Sequence, residues 1–552
     1  MSKICEMGEI QMKRIFKKAI SVVLVMCVML TGIAVGTVGA SAAGSSVPIV
    51  YLCGAGSAIY ENENDSSSRN LDAFGDGSLM PAVSAAMSQM IKPLINAYIN
   101  NNFDAYCDEL VSLYSQYFSA AKLDENGEAS NGSGNRCIWN TPIADRVSAD
   151  GTYSMHAYQF EYDWRVDPFE TAVHLNEYIE AVKATTHSEK VNIVCRCLGV
   201  NETLAYVAAY GSDSLNKVIL YTAGFDGFTC VSALFTGDIQ IDADALERYA
   251  NATLTDAGDE TQKLIKSILQ VANNDFMLDW GIDEVMDFYE KIYENVVPRM
   301  LKESYATYVS YWSMVDHADY EKAIEFNFGS EREKYAKLIE KADRYQNEVA
   351  GRYDELLADM QNNGVEVYIV AKYGYQLIPI SEEGNMISDQ TVTVKSASGG
   401  ADTALMTEKF SDDYMKKAEL NGTAKYISAD RQINSSTSVL PEYTWYIKNL
   451  IHKDFPDSVE SDLFMTLLNS DTYMTVFDDA SHPQYMIYNS DTNALEILTA
   501  ENSETAEEKI WKGDKGESVE YLTNRFLNAI LKFFELIKDF VYNLLNGIMN
   551  TK

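Results

Sequence analysis

Cys197 stands where a sharp turn would lift a side chain clear of the backbone. The apolar run Val191-Asn192-Ile193-Val194 leads into Cys195-Arg196-Cys197-Leu198-Gly199. Cys-x-Cys-x-Gly has the spacing of a strand-to-helix nucleophile elbow, usually Gly-x-Ser-x-Gly, with sulfur in place of oxygen. Such a turn needs small flanking residues, and Gly199 and Cys195 are both small. A thiol at its centre would attack a carbonyl as thiolate once an imidazole takes its proton. The competing reading is a buried strand end with two packed cysteines, because so short a motif matches often by chance. A second feature of the same kind is Gly54-Ala55-Gly56-Ser57, which follows the apolar run 47–53. A flexible loop directly after a strand is a common place to offer backbone amides to an anion.

Elements able to hold these residues can be read from periodicity. Strand patterns at 158–162, 191–194 and 218–222 alternate with helical patterns at 169–182 and 198–210. That rhythm predicts βαβ units, hence an α/β fold with a mostly parallel sheet flanked by helices. It breaks at Leu234. From Ala243 to about Asn363 the chain is charged and helical in pattern, so 235–363 is expected to be an inserted helical cap. Strand patterns return at 365–371 and 443–450. The expected organisation is therefore a leader at 1–42, a first core part at 43–234 with a helical and loop excursion at 60–153, the cap, a second core part at 364–500, and an amphipathic helix at 518–550. That last helix has a narrow polar stripe through Arg525, Lys532, Glu535 and Asp539 opposite a broad apolar face. Its charges argue against a bilayer span. Packing against the core or a partner is the favoured role, with a membrane surface as the alternative.

Lys13, Arg14, Lys17 and Lys18 precede the apolar run 19–38, and Ala40-Ser41-Ala42 supplies small residues for cleavage, the layout of a secretory signal peptide. The mature chain is expected to be secreted or held at the surface of a bacterial cell. The formal charge of the whole chain is −37. A surface so acidic repels phosphate backbones, which excludes nucleic acid as a partner. Mature cysteines are Cys53, Cys107, Cys137, Cys195, Cys197 and Cys230. Export permits disulfides. Cys107 with Cys137 is the pair expected first, since both lie in one loop-rich excursion. No cysteine has metal-ligand spacing with histidines, so neither a metal nor a cofactor is expected.

Tyr162-Asp163-Trp164-Arg165, followed by a helix, a strand and the elbow, resembles the α/β-hydrolase group related to lecithin:cholesterol acyltransferase and bacterial lipases. The resemblance extends through the glycine loop at 54–56, Ser388-Asp389-Gln390-Thr391-Val392 and His452, in the chain order nucleophile, acid, histidine. It implies the α/β-hydrolase fold with Cys197 as nucleophile, Asp389 as acid and His452 as base. It also implies an oxyanion hole made by the N–H of Leu198 with that of Ala55 or Gly56. Near the acid the family commonly has Asp-Gly-Thr-Val, and Gln390 replaces that glycine here. Within this frame only His452 and His482 follow Asp389, and Ser481-His482-Pro483 reads as a surface turn. Asp163-Trp164-Arg165 is expected to be a buried hydrogen-bonded corner, while Arg196 meets either substrate or a nearby acid.

The function implied is hydrolysis of carboxylic esters, small or lipid-like, through a Cys-His-Asp triad and an acyl thioester. An acyltransferase differs only in the acceptor. A hydrolase-like binding or scaffold protein without catalysis is the other reading. A disulfide between Cys53 and Cys195 would leave Cys197 free, whereas one between Cys53 and Cys197 would remove the nucleophile.

Overall fold

The computed structural model describes residues 44–71 except 56, 104–135, 143–239, 245, 296–456 and 458–504. The leader at 1–42, Gly56, Cys137 and the helix expected at 518–550 lie outside the described residues, as do 72–103 and all of 240–295 but Ala245.

Short apolar segments with no polar alternation must be covered on both faces, and parallel strands meet that condition. Eight strands form the main sheet: β1 Ile49–Leu52, β2 Tyr158–Phe160, β3 Val191–Arg196, β4 Leu215–Tyr221, β5 Glu366–Tyr373, β6 Thr444–Lys448, β7 Tyr485–Asn489 and β8 Ala494–Ile497. Their spatial order is β8-β7-β6-β5-β4-β3-β1-β2. All neighbours run parallel except β7 and β8, which pair antiparallel. Every residue of β1, β3 and β6 is buried. The two sheet faces carry separate apolar clusters. One contains Leu52, Cys195, Cys197 and Leu220; the other contains Cys53, Val194, Tyr221 and Val370.

Helices connect the strands. Asp104–Phe118 forms α1 within the excursion. Next comes α2, Pro168–Thr186, whose N-cap Asp167 accepts a hydrogen bond from the Phe169 N–H and whose first residue is proline, a fixed φ with no amide to satisfy. Immediately after β3 is α3, Leu198–Tyr210, and Thr229–Thr236 forms α4 beyond β4. In the long connection from β4 to β5, the described residues form α5 Tyr320–Phe328, α6 Ala336–Glu348 and α7 Tyr353–Asn362. Their apolar faces join the same core as the sheet through Phe328, Leu338 and Leu357. Asn201 of α3 donates to the Ser313 carbonyl (3.0 Å) and hydroxyl (2.9 Å), which ties this connection to the helix behind the elbow.

The chain is thus an α/β protein with a large, mostly parallel sheet. Sequence periodicity places six of its strands within a few residues. It misses β7 and β8, the last two strands on one side of the sheet, where residues 485–497 mix apolar and polar side chains without a clear period.

Candidate active site

In a parallel sheet, all strands end at the same edge, and loops leaving that edge converge. Ala55 follows β1, Cys197 follows β3, His452 follows β6, and Asp389 lies beyond the short pairing of Tyr375 with Ser388 that follows β5. Residues nearly four hundred positions apart in sequence, Ala55 and His452, therefore leave the sheet at the same edge.

Cys197 has φ 53° and ψ −130°, a conformation that side chains other than glycine rarely adopt. Holding a non-glycine residue there costs about 1–3 kcal/mol, and such strain concentrates where a side chain must be presented. The surroundings enforce it. The Cys197 N–H donates to the Tyr221 carbonyl at 3.0 Å. A Cβ on Gly199 would sit 2.7 Å from the Cys53 carbonyl oxygen and 3.0 Å from that of Leu52. One on Gly54 would sit 2.8 Å from Cys197 Cβ. Both glycines are there because α3 and the loop after β1 pass against the elbow. Because the atoms met by Gly199 are backbone, Gly199→Ala is expected to destabilise the protein by about 3 kcal/mol, the upper range for overpacking. Thermal unfolding followed by circular dichroism measures it.

Asp389 and His452 form a buried pair. His452 Nδ1 lies 2.7 Å from Asp389 Oδ2, and the His452 backbone N–H donates to the Asp389 carbonyl at 2.7 Å. Asp389 Oδ1 accepts from the Thr391 N–H (3.0 Å) and the Val392 N–H (2.9 Å). The carboxylate is thus fully engaged and 0% exposed. Gln390 occupies φ 82°, the left-handed turn position where glycine is the unstrained choice. With Nδ1 committed to Asp389, the imidazole turns Nε2 inward. Nε2 is buried without a nitrogen or oxygen partner, and the Cys197 thiol is near enough for each group to shift the other's ionisation.

Burial opposes charge on all three groups, and the pairings overcome it. For Cys197, the charge and hydrogen bond of His452, the Leu198 N–H and Arg196 bring the thiol below its ordinary value. For His452, Asp389 and the thiolate raise the imidazole from 6.5 to about 9. The Asp389 carboxyl is held low by His452, Lys372 and the Val392 N–H. Both shifts act in the direction of a thiolate–imidazolium pair. Cys195 and Cys230, which lack such a partner, are pushed by burial up to about 12. Iodoacetamide is accordingly expected to alkylate Cys197 readily at about pH 6, where an ordinary thiol of pKa about 8.5 is almost wholly protonated. Labelling of all cysteines together, only as pH approaches 8.5, would show that the pair does not form.

The rival histidines are elsewhere. His482 pairs with Asp479 at 2.7 Å and lies just before β7, at the sheet edge opposite Cys197. His317 contacts Gln346 at 3.0 Å, and His174 is beside Glu177 on α2. Asp163 and Arg165 form the buried corner: the guanidinium makes paired bonds of 2.9 and 2.6 Å to the carboxylate and reaches the Ala121 carbonyl and Ser133 hydroxyl. The neighbouring aromatics hold the loop after β1. Tyr162 Oη donates to the Cys53 carbonyl at 2.8 Å and Trp164 Nε1 to the Ser57 carbonyl at 2.9 Å.

Two cysteine alternatives are settled by strand parity. β1 and β3 align Leu52 with Cys195, so Cys53 lies one residue on and faces the other side of the sheet. None of Cys53, Cys195 and Cys197 is in a disulfide among the described residues. Arg196 packs on an aromatic ring and reaches Cys53 Sγ at 3.7 Å. It points to the face opposite Cys197, where its guanidinium carbon lies 3.5 Å from the centre of the Phe455 ring. Among the described residues no group of acidic, histidine and cysteine side chains is arranged to hold a metal ion, and no helix is long and apolar enough to cross a membrane.

Sequence reading misses three residues around the base. Phe228, the N-cap of α4, meets the His452 ring edge-on with centres 6.1 Å apart. Phe455 and Lys372 support the His452 loop from beneath. Lys372 had a signal: it is the one charged side chain in the otherwise apolar run Val367–Tyr373. No protein-family model and no curated protein matches this chain.

Proposed function

We propose that this protein is a carboxylic ester hydrolase of the α/β-hydrolase kind, related to lipases and lecithin:cholesterol acyltransferase, with Cys197 as nucleophile. The observation that carries the reading is the inward-facing, otherwise unpartnered Nε2 of His452, fixed by Asp389 and coupled to a strained thiol at the start of α3. In this reading Cys197 Sγ bonds to the ester carbonyl carbon and its proton resides on His452 Nε2. The carbonyl oxygen becomes an oxyanion facing the N–H of Leu198 and of the loop at Ala55 and Gly56. The C–O bond to the alcohol then breaks, His452 giving the leaving oxygen its proton. Water, deprotonated by His452, opens the thioester and releases the acid.

In this reading the helices described within 296–363 belong to a cap over the acyl chain, and the steps above use only Cys197, Asp389 and His452. The basic and apolar leader supports export, and the negative charge supports a neutral, ester-type substrate over an anionic polymer. Because protonation of the leaving alcohol requires imidazolium, kcat/KM for alkyl esters is expected to fall as pH rises through about 9, the value of the imidazole beside the free thiolate. The test is to alkylate the mature protein with iodoacetamide, map the adduct, and assay p-nitrophenyl esters of short and long acyl chains before and after. Labelling at Cys197 with parallel loss of hydrolysis supports the assignment. Hydrolysis that survives full modification of Cys197, or is absent in the unmodified protein on every chain length, overturns it.

A further inference from the structure

His452 sits in a turn, with no helix or strand of its own to hold it, yet its two ring nitrogens must serve Asp389 and Cys197 at once. The opposite sheet face shows what supports it. Arg196 ends β3, Tyr221 ends β4 opposite Arg196, and Lys372 lies near the end of β5. All three side chains converge on the ring of Phe455, three residues after His452. The Arg196 guanidinium lies 3.5 Å and Lys372 Nζ 4.0 Å from the ring centre, and Tyr221 packs edge-on with centres 5.6 Å apart. Lys372 Nζ also donates to the carbonyls of Ile451 (3.2 Å), His452 (2.9 Å) and Asp454 (2.5 Å). Three acceptors occupy all three donors of an ammonium. We propose that this stack is a positioning device for the base, with Lys372 and Phe455 as positioning residues that hold the His452 turn at the height where Nε2 reaches Cys197 while Nδ1 keeps Asp389.

Location and chemistry support this role. Neither residue faces the thiol: both reach the turn from the far side of the sheet, through backbone carbonyls and a ring, and neither touches reacting atoms, although the Lys372 charge also helps to hold Asp389 low. Cations over an aromatic face attract it most strongly when desolvated, and Arg196 and Lys372 are 2% and 1% exposed. Burial lowers Lys372 to about 7, while Asp389 and Asp454 pull the other way. The three carbonyl contacts favour the charged form, since a neutral amine has only two N–H groups to give. A buried ammonium that merely stabilised the sheet would not need acceptors drawn from the turn that carries the candidate base.

The inference rests on the Cys197–His452 pairing proposed above, so its test separates the two. Cys197 alkylation by iodoacetamide is measured between about pH 5.5 and 9.5, spanning the ordinary thiol value, in wild type, His452→Ala, Lys372→Met and Phe455→Leu, with thermal melting as the fold control. Losing the low-pH limb in His452→Ala reports the pair itself. Lys372→Met and Phe455→Leu are then expected to lose about 10- to 100-fold of the rate at the acid end, the scale of a misplacement near 1 Å. At the alkaline end they should react like wild type, and kcat on p-nitrophenyl esters should fall with little change in KM. Wild-type pH profiles in both positioning variants overturn the proposal while leaving the pair intact. A wild-type profile in His452→Ala instead overturns the pair, and the positioning role with it. Phe455→Leu keeps apolar volume at a half-buried site, so it carries the test if Lys372→Met does not fold.

Discussion

Cys197→Ala is expected to lower ester hydrolysis by about 10⁴-fold or more while leaving the fold intact, because removal of one member of a catalytic triad removes most of what the set does together. Alanine takes away only Sγ, and the elbow persists because it is imposed by Gly199, Gly54 and the Tyr221 carbonyl. The His452 imidazole also loses one of the groups that raise it, so its pKa should fall from about 9 toward the free value of 6.5. Proton NMR of the His452 ring can follow that shift independently of turnover. Cys197→Ser asks a sharper question. A hydroxyl does not ionise near neutrality, so the serine variant depends on neutral His452 as a base during attack. Its activity should therefore rise with pH through a histidine value lower than that of the parent. Cys197→Ala with undiminished hydrolysis would sink the assignment outright.

Asp389→Asn is expected to cost about 10⁴-fold in kcat, the scale seen when a triad carboxylate becomes an amide. Oδ2 accepts from His452 Nδ1–H and Oδ1 accepts two backbone N–H groups, so the site supplies donors only. Asparagine must turn its Nδ2 hydrogens toward either the imidazole or the backbone amides. Facing the imidazole, it stabilises the tautomer with the proton on Nε2, which cannot take a proton from Cys197. KM should change little, because Asp389 lies behind the imidazole and away from the thiol. The low-pH alkylation of Cys197 should disappear together with kcat, and steady-state kinetics beside alkylation rates check both. His482→Ala is the matched control. His482 belongs to the other edge of the sheet, and its loss should leave both measurements unchanged.

The elbow was legible because its constraint is local: a buried apolar run, a small residue on each side of the centre, and a helix directly after. The helix predicted at 198–210 matches Leu198–Tyr210 of the structure. Chain order also led to Asp389 and His452, through a family resemblance in the segments around them. Contacts with no local signature stayed hidden. Arg196 looked like a residue that could meet substrate, and strand alternation turned it to the far face. Phe455 is one aromatic among many, and Lys372 is one lysine within a strand. Only the register of three adjacent strands puts Arg196, Tyr221 and Lys372 around one ring. The disulfide alternatives were undecided for the same reason, since neighbouring strands were expected but their one-residue offset was not.

The sequence by itself determined the α/β alternation and the elbow, because side-chain size and periodicity act over a few residues, while Asp389 and His452 entered as acid and base through what the family resemblance implies. Tertiary structure alone decided the rest. It brought β1, β3, β5 and β6 to a common edge, separated His452 from His482 by placing them at opposite ends of the sheet, and set the parity that keeps Cys53 away from Cys195. Each of those outcomes depends on which strands pair and in what register, and pairing energies arise between segments that are remote in sequence.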